Sequence, residues 1–549
     1  MLHITLKITI ILLLVSSFSF AQKDENYLIG LDSLSAENIQ RHLQFLASDE
    51  CEGRAPGTNG GNLAARYIAD EFFKIGLKPI VNDNSYFQNV PMHGGIPLPS
   101  SKLILYSDEQ EIPLKLNSDY LMFNTGQQTF IPVPLDIVFV GYGIIAPEFD
   151  YNDYQSVDVE GKIVVFLEGE PPSTEPDFFD GLNPTIYSYP SSKQRIAISR
   201  GAAGSILIPV NIDVNWNDRK RDFEFEDITL GYNTSNNLSI VLNPALIDML
   251  FKSARNSFSD VLRMITKSNM VSFPLETKIS FEGKFEQRDF VSPNVIGIIE
   301  GSNPELQDTY IIISAHYDHL GFGPTVKGDS IYNGALDNAI GVSVLIELAR
   351  VFSKLEKLPG RSILFMAVTG EEKGLLGSTY YVDHPVVPLY KSVANLNIDG
   401  IAMFSDFNSV VGIGSEYSSL NEFLEQSASN FDISVEDIPP EFKSNEEFNR
   451  SDQKAFSIAG IPSILILEGL ENKNKNREEV LTAFINYMIN IYHTPFDDCT
   501  QKIDYDAALR HTKLLYDFIY SIANSTESPD WKPESPFINA RLRSISEKR

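Results

Sequence analysis

The sequence predicts an α/β protein, a doubly wound and mostly parallel sheet carrying an inserted, mostly β segment. Three observations carry that expectation. From about Asn294 onward, apolar strand-like runs alternate with helical runs, the pattern of a parallel sheet with crossover helices. Between residues 96 and 285 the chain instead shows short β-type runs separated by Gly, Pro and Asp. With 549 residues, the chain is too long for one ordinary core, so more than one domain is expected.

Residues 1–21 read as a signal peptide. Lys7 precedes a largely apolar run from Ile8 to Val15, and Ser19 and Ala21 fit positions −3 and −1 of a cleavage site. No cysteine follows closely enough for a lipid anchor, and no later run reaches the roughly 18 apolar residues of a membrane span. A secreted or periplasmic protein is the expectation. Residues 22–95 would open the catalytic domain. They hold a helix over Glu37–Ala47 with Ile39, Leu43 and Leu46 on one face, a turn from Ser48 to Thr58, and a helix over Asn62–Ile75 stopped by Gly76.

Residues 96–285 form the β insertion. Its clearest strands are Ile137–Val140, Ile163–Leu167 and Ser205–Ile208, with one helix around Lys193–Arg200. Residues 286–524 carry the alternating pattern. Strands are expected at Tyr310–Ser314, Ser362–Thr369, Val393–Ile398 and Ser463–Leu467, and helices at Gly341–Leu355, near Leu375–Val382 and at Glu478–Ile489. Residues 525–549 read as a polar, extended tail.

Hydrophobic content of 43% and charged content of 21% are those of a folded protein. A net charge of −29 argues against nucleic acid or an anionic membrane surface as partner. Nothing in the sequence sets an oligomeric state. Cys51 and Cys499 are the two cysteines. An even count in an exported chain permits one disulfide, which would draw the opening turn to the segment around His493.

Metal-type residues follow the predicted strands. His316 and Asp318 come after the first, Glu371 and Glu372 after the second, and Asp399 after the third. Asp337 opens the helix between the first two strands, and His493 lies in a loop after a later helix. Singly, each is ambiguous. An H-x-D pair is often a structural hydrogen bond, Asp337 suits a helix N-cap, and paired glutamates are usually solvated. Together they sit where open α/β sheets place their active sites, at the carboxyl ends of strands. Two imidazoles (His316, His493) and three carboxylates (Asp337, Glu372, Asp399) suit two neighbouring zinc ions if one carboxylate bridges them. Glu371 is then a carboxylate beside the metals without a ligand role. His319 reads as a bystander.

Five segments bear a family resemblance: Ser314–His319, Asn333–Asn338, Thr369–Ser378, Asn397–Gly400 and Tyr492–Pro495. In type and order they resemble the di-zinc exopeptidase family of bacterial leucyl aminopeptidase, aminopeptidase Y and glutamate carboxypeptidase. Leu46–Arg54 is similar to the opening turn of bacterial members. Gly141–Glu148 and Asp158–Val165 resemble the protease-associated domain often inserted in the family. The resemblance spans roughly residues 34–524 and implies a zinc aminopeptidase-like fold. It further implies two Zn²⁺ per chain, with Asp337 bridging, Glu372 and His493 on one ion, and His316 and Asp399 on the other. It implies Glu371 as general base, Asp318 as the residue fixing the His316 ring, and Tyr492 as the match of a tyrosine that, in the carboxypeptidase branch, helps hold the tetrahedral intermediate. Leu336 and Gln453 depart from the family pattern, where a second Asp and a His are common.

The resemblance implies an aminopeptidase acting on peptides with a free N-terminus. A carboxypeptidase of the family needs arginines for a free carboxylate, and Gly460–Ser463 runs here into Ile464–Leu467 instead. A one-zinc cyclase-like transferase and a non-catalytic receptor-like ectodomain are the remaining alternatives.

Overall fold

The computed structural model describes residues 25–547, except 124–128, 176, 180, 182–184, 211–214, 235–236, 440–447 and 449. The signal peptide reading lies outside the described residues. Among those described, no helix is long and apolar enough to cross a membrane.

A ten-stranded sheet organises the larger part of the molecule. Its centre is parallel, in the order Ser362–Val368, Tyr310–His316, Ser392–Asn397, Ser463–Glu468. Antiparallel strands flank this centre, Phe285–Ile299 on one side and Ser409–Ile413 on the other. The sheet is therefore more mixed than the alternating pattern implied. Its parallel part comprises the four central strands, and at the far edge Ser434–Glu436 pairs parallel with Ser409–Ile413.

Residues along each central strand alternate between two cores. Ile311, Ile313, Ile363 and Phe365 pack on one face, and Ile312, Leu364, Met366 and Val368 on the other. Burial on both faces explains why these strands read as continuous apolar runs. Each such side chain contributes about 1.5–3 kcal/mol of transfer free energy. Helix Ile340–Ser353 is buried on almost every side. It lies between the sheet and the helices Ala36–Leu46, Asn59–Ile75 and Tyr505–Asn524.

Helix Asn59–Ile75 starts three residues earlier than the apolar pattern suggests, because the Thr58 side chain caps the amide of Gly61. Gly60 is required there. A Cβ at that position would sit 1.9 Å from the carbonyl oxygen of Cys51. The helix ends at Gly76 in left-handed conformation, as expected.

Strands between residues 102 and 282 build a second, eight-stranded sheet with its own core. Its centre is also parallel, through Phe130–Phe139, Ile163–Leu167, Gly204–Ile208 and Leu238–Leu242. Parallel pairing demands crossovers, so besides Pro190–Ser199, where a helix around Lys193–Arg200 was expected, a helix at Trp216–Asp222 lies between Gly204–Ile208 and Leu238–Leu242, and another at Phe258–Thr266 leads into the antiparallel strand Phe273–Glu282. Asp227–Leu230 leaves this unit and joins the edge of the first sheet.

Two further expectations are corrected. The C-terminal segment is not an extended appendage. It forms a helix at Ile538–Ser546, and Trp531 is buried with its indole N–H donating to Gly460. The two cysteines are free thiols. Cys51 is buried with its sulfur turned to the carbonyl of Phe45, whereas Cys499 faces solvent.

Candidate metal centre

The carboxyl ends of three adjacent parallel strands converge at one place. His316 is the last residue of its strand, Glu371 and Glu372 follow Val368, and Asp399 follows Asn397. Asp337 stands in an irregular turn before helix Ile340–Ser353. His493 arrives with left-handed backbone after helix Arg477–Asn490.

The structure brings all five proposed ligands together. Nε2 of His316 lies 3.3 Å from one carboxylate oxygen of Asp337 and 3.4 Å from Asp399. Nε2 of His493 lies 3.3 Å from the other oxygen of Asp337 and 3.1 Å from Glu372. The Asp337 carboxylate thus faces a different imidazole–carboxylate pair with each oxygen. Glu371 stands 4.0 Å from His316 Nε2, and its backbone N–H donates to Asp318 at 3.1 Å. Tyr492 stacks on the His493 ring, with centroids 3.8 Å apart.

Asp318 differs in detail from its expected role. Its carboxylate is 4.0 Å from His316 Nδ1, while its backbone oxygen accepts from that nitrogen at 3.2 Å. His319 is not a bystander. Its Nδ1 lies 2.6 Å from Glu372 inside the buried cluster. Asp497, Ser451 and Arg54 also belong here. Asp497 accepts the amides of Leu336 and Asp337, and Ser451 donates to Asp399 at 2.6 Å. Gln453 is fully buried and accepts from Asn397.

Electrostatics match this crowding. Burial pushes the Glu371 carboxyl well up, with Glu372 and Asp399 adding to the rise and His316 opposing it. Burial also raises Asp318, to about 6. For His493 burial works downward, but Glu372 and Asp337 outweigh it and lift the imidazole to about 10. Nε2 of His316, His319 and His493 are all buried without a hydrogen bond. Imidazole lone pairs and carboxylates converging in this way fit zinc. Beside Asp399 opens an apolar pocket lined by Met403, Phe404, Ile413, Ile438, Leu467 and Phe484.

The model of peptidase family M28 matches residues 294–519, which contain every one of these ligands. The chain is 30% identical to aminopeptidase YwaD of Bacillus subtilis over 240 residues, 43% of this chain and 46% of YwaD. A probable glutamate carboxypeptidase of Arthroderma benhamiae is 40% identical over 118 residues, 20% of this chain and 14% of that protein. The matches therefore span less than half of either relative. In fold, the aminopeptidase from Aneurinibacillus sp. strain AM-1 superposes over 91% of this chain and 97% of its own, with a TM-score of 0.55 at 19% identity.

Proposed function

We propose that this chain is an exported zinc aminopeptidase that removes N-terminal residues from peptides and holds two Zn²⁺ ions. The single observation carrying the reading is Asp337, whose two oxygens face His316 with Asp399 and His493 with Glu372. His316, Asp337, Glu372, Asp399 and His493 would hold the metals. Bound zinc would polarise the scissile carbonyl and acidify water.

Glu371 takes a proton from the attacking water and returns it to the leaving amine. The raised affinity of its carboxyl for protons suits that exchange. Tyr492 stays protonated, since burial raises its hydroxyl, and donates to the carbonyl oxygen as negative charge builds there. Asp318 fixes the Glu371 turn through the backbone N–H. The apolar pocket beside Asp399 suits a large apolar side chain on the N-terminal residue. Residues 96–285 serve as a protease-associated domain shaping access, supported by Phe225 lying under the Lys373 ammonium beside Glu372.

One observation favours the carboxypeptidase alternative. The positive charge of Arg450 acts on the Tyr492 hydroxyl, and a guanidinium is the group a carboxypeptidase would use to hold a free carboxylate. Matched peptides with free and N-acetylated N-termini, read by product mass, decide between the two. Loss of single residues from free N-termini is expected. Trimming of the acetylated peptides from their C-terminal ends would establish the alternative.

A further inference from the structure

The turn Asn333–Asp337 carries the proposed bridging carboxylate, and its backbone is held by two buried charges from distant parts of the chain. Arg54 is fully buried in the opening turn. Its Nη1 donates to the carbonyl of Asn333 and its Nη2 to that of Gly334 at 2.8 Å. The same guanidinium reaches the carbonyl of Tyr317, between His316 and Asp318, at 2.7 Å, and that of Leu46 at 2.6 Å.

Asp497, four residues after His493, completes the turn from the other side. Its carboxylate oxygens accept the amides of Leu336 and Asp337, both at 3.0 Å. Its backbone oxygen accepts the amide of Ala335 at 2.9 Å. Carbonyls of residues 333 and 334 thus go to a cation, and amides of residues 335–337 go to Asp497. Gly334 is obligatory inside this grip. Its φ is +59°, and a Cβ would lie 2.1 Å from the Asp337 carbonyl oxygen and 2.5 Å from the His319 ring.

A guanidinium offers five donors in a rigid fork, so one side chain can orient several carbonyls at fixed angles. Lysine cannot reproduce that fork. We infer that Arg54 and Asp497 are positioning residues that together aim the Asp337 carboxylate and so tune metal affinity. The inference rests on the proposed metal-binding reading.

Three variants test it: Arg54→Lys, Asp497→Asn and, as a control, Arg361→Lys. Arg361 is equally buried and also donates to carbonyls, those of Ile522, Ser525 and Glu527, but at the start of the strand Ser362–Val368 and away from the site. Zn²⁺ is titrated against a chromophoric chelator for each protein, alongside thermal unfolding and the visible spectrum of the Co²⁺ form. Arg54→Lys and Asp497→Asn are expected to weaken Zn²⁺ by at least about 10-fold and to shift the Co²⁺ bands. Arg361→Lys is expected to lower the melting temperature with Zn²⁺ affinity unchanged.

Should Arg54→Lys not fold, Asp497→Asn decides, since it turns one acceptor oxygen into an amide facing an N–H and changes little else. Wild-type Zn²⁺ affinity in both site variants, or an equal affinity loss in Arg361→Lys, overturns the inference. A wild-type chain that binds no Zn²⁺ would instead overturn the functional reading beneath it.

Discussion

Glu371 and Glu372 are neighbours in the chain but have different surroundings. Glu372 lies between two imidazoles, 2.6 Å from His319 and 3.1 Å from His493. Glu371 is buried among other carboxylates at 4.0 Å from His316. Isosteric changes should therefore separate a proton carrier from a ligand. Glu371→Gln should keep its metal by elemental analysis while kcat falls at least about 10²-fold. Glu372→Gln should lose or weaken one metal, with added zinc restoring part of the activity. Exchange of these two phenotypes would exchange the roles. His319→Ala should likewise weaken the metal held with Glu372, by about 10-fold in a zinc competition, leaving the other half of the site close to wild type. The sequence shows a second imidazole in His-Tyr-Asp-His, but Glu372 lies 53 residues further on. Nothing local marks that pair as touching.

Strands and helices of the larger sheet were legible because each reports its own neighbours. The strands ending at His316 and Val368 match the apolar runs to within two residues, as does Ile163–Leu167 in the second sheet. Short helices in the second sheet were not legible. Phe258–Thr266 depends on a capping box between Ser257 and Asp260, a signal only two side chains wide. That unit also holds a buried acid. Burial raises Asp153 to about 6, against backbone donors from Ile144 and Tyr142. The unfolded chain ionises near 4 and the folded one near 6, so the folded state binds more protons between them. Stability is lost as pH rises through that window, at about 1.4 kcal/mol per pH unit. Asp153→Asn should therefore gain stability relative to wild type from pH 4 to 6 and level off above, measured by denaturant unfolding. In the C-terminal segment, Trp531→Ala should cost about 3 kcal/mol, read as a lowered melting temperature. An unpacked tail would show no change.

On the scale of the whole molecule, metal removal tests how far the site supports the fold. Its ligands come from segments on both sides of the sheet's connections, so ions bound only by the folded chain stabilise it by mass action. With free zinc at 100 times the dissociation constant, the gain is about 2.7 kcal/mol, and a chelator should lower the melting temperature by the corresponding few degrees. An unchanged transition would mean that the folded chain holds zinc no more tightly than the unfolded one. The α/β class, the strand ends and the residue types for a metal centre follow from the sequence by itself, since periodicity and turn chemistry act over a few neighbouring residues. Which donors meet was decided only by tertiary structure. Arg54 reaches across 280 residues to Gly334, and Asp497 across 160 to the amide of Asp337. The opening turn and the His493 segment are brought to the same loop by these charges and not by a disulfide. Such contacts depend on strand register, on burial and on the direction of single side chains. Those are properties of the packed chain, and no stretch of sequence carries them alone.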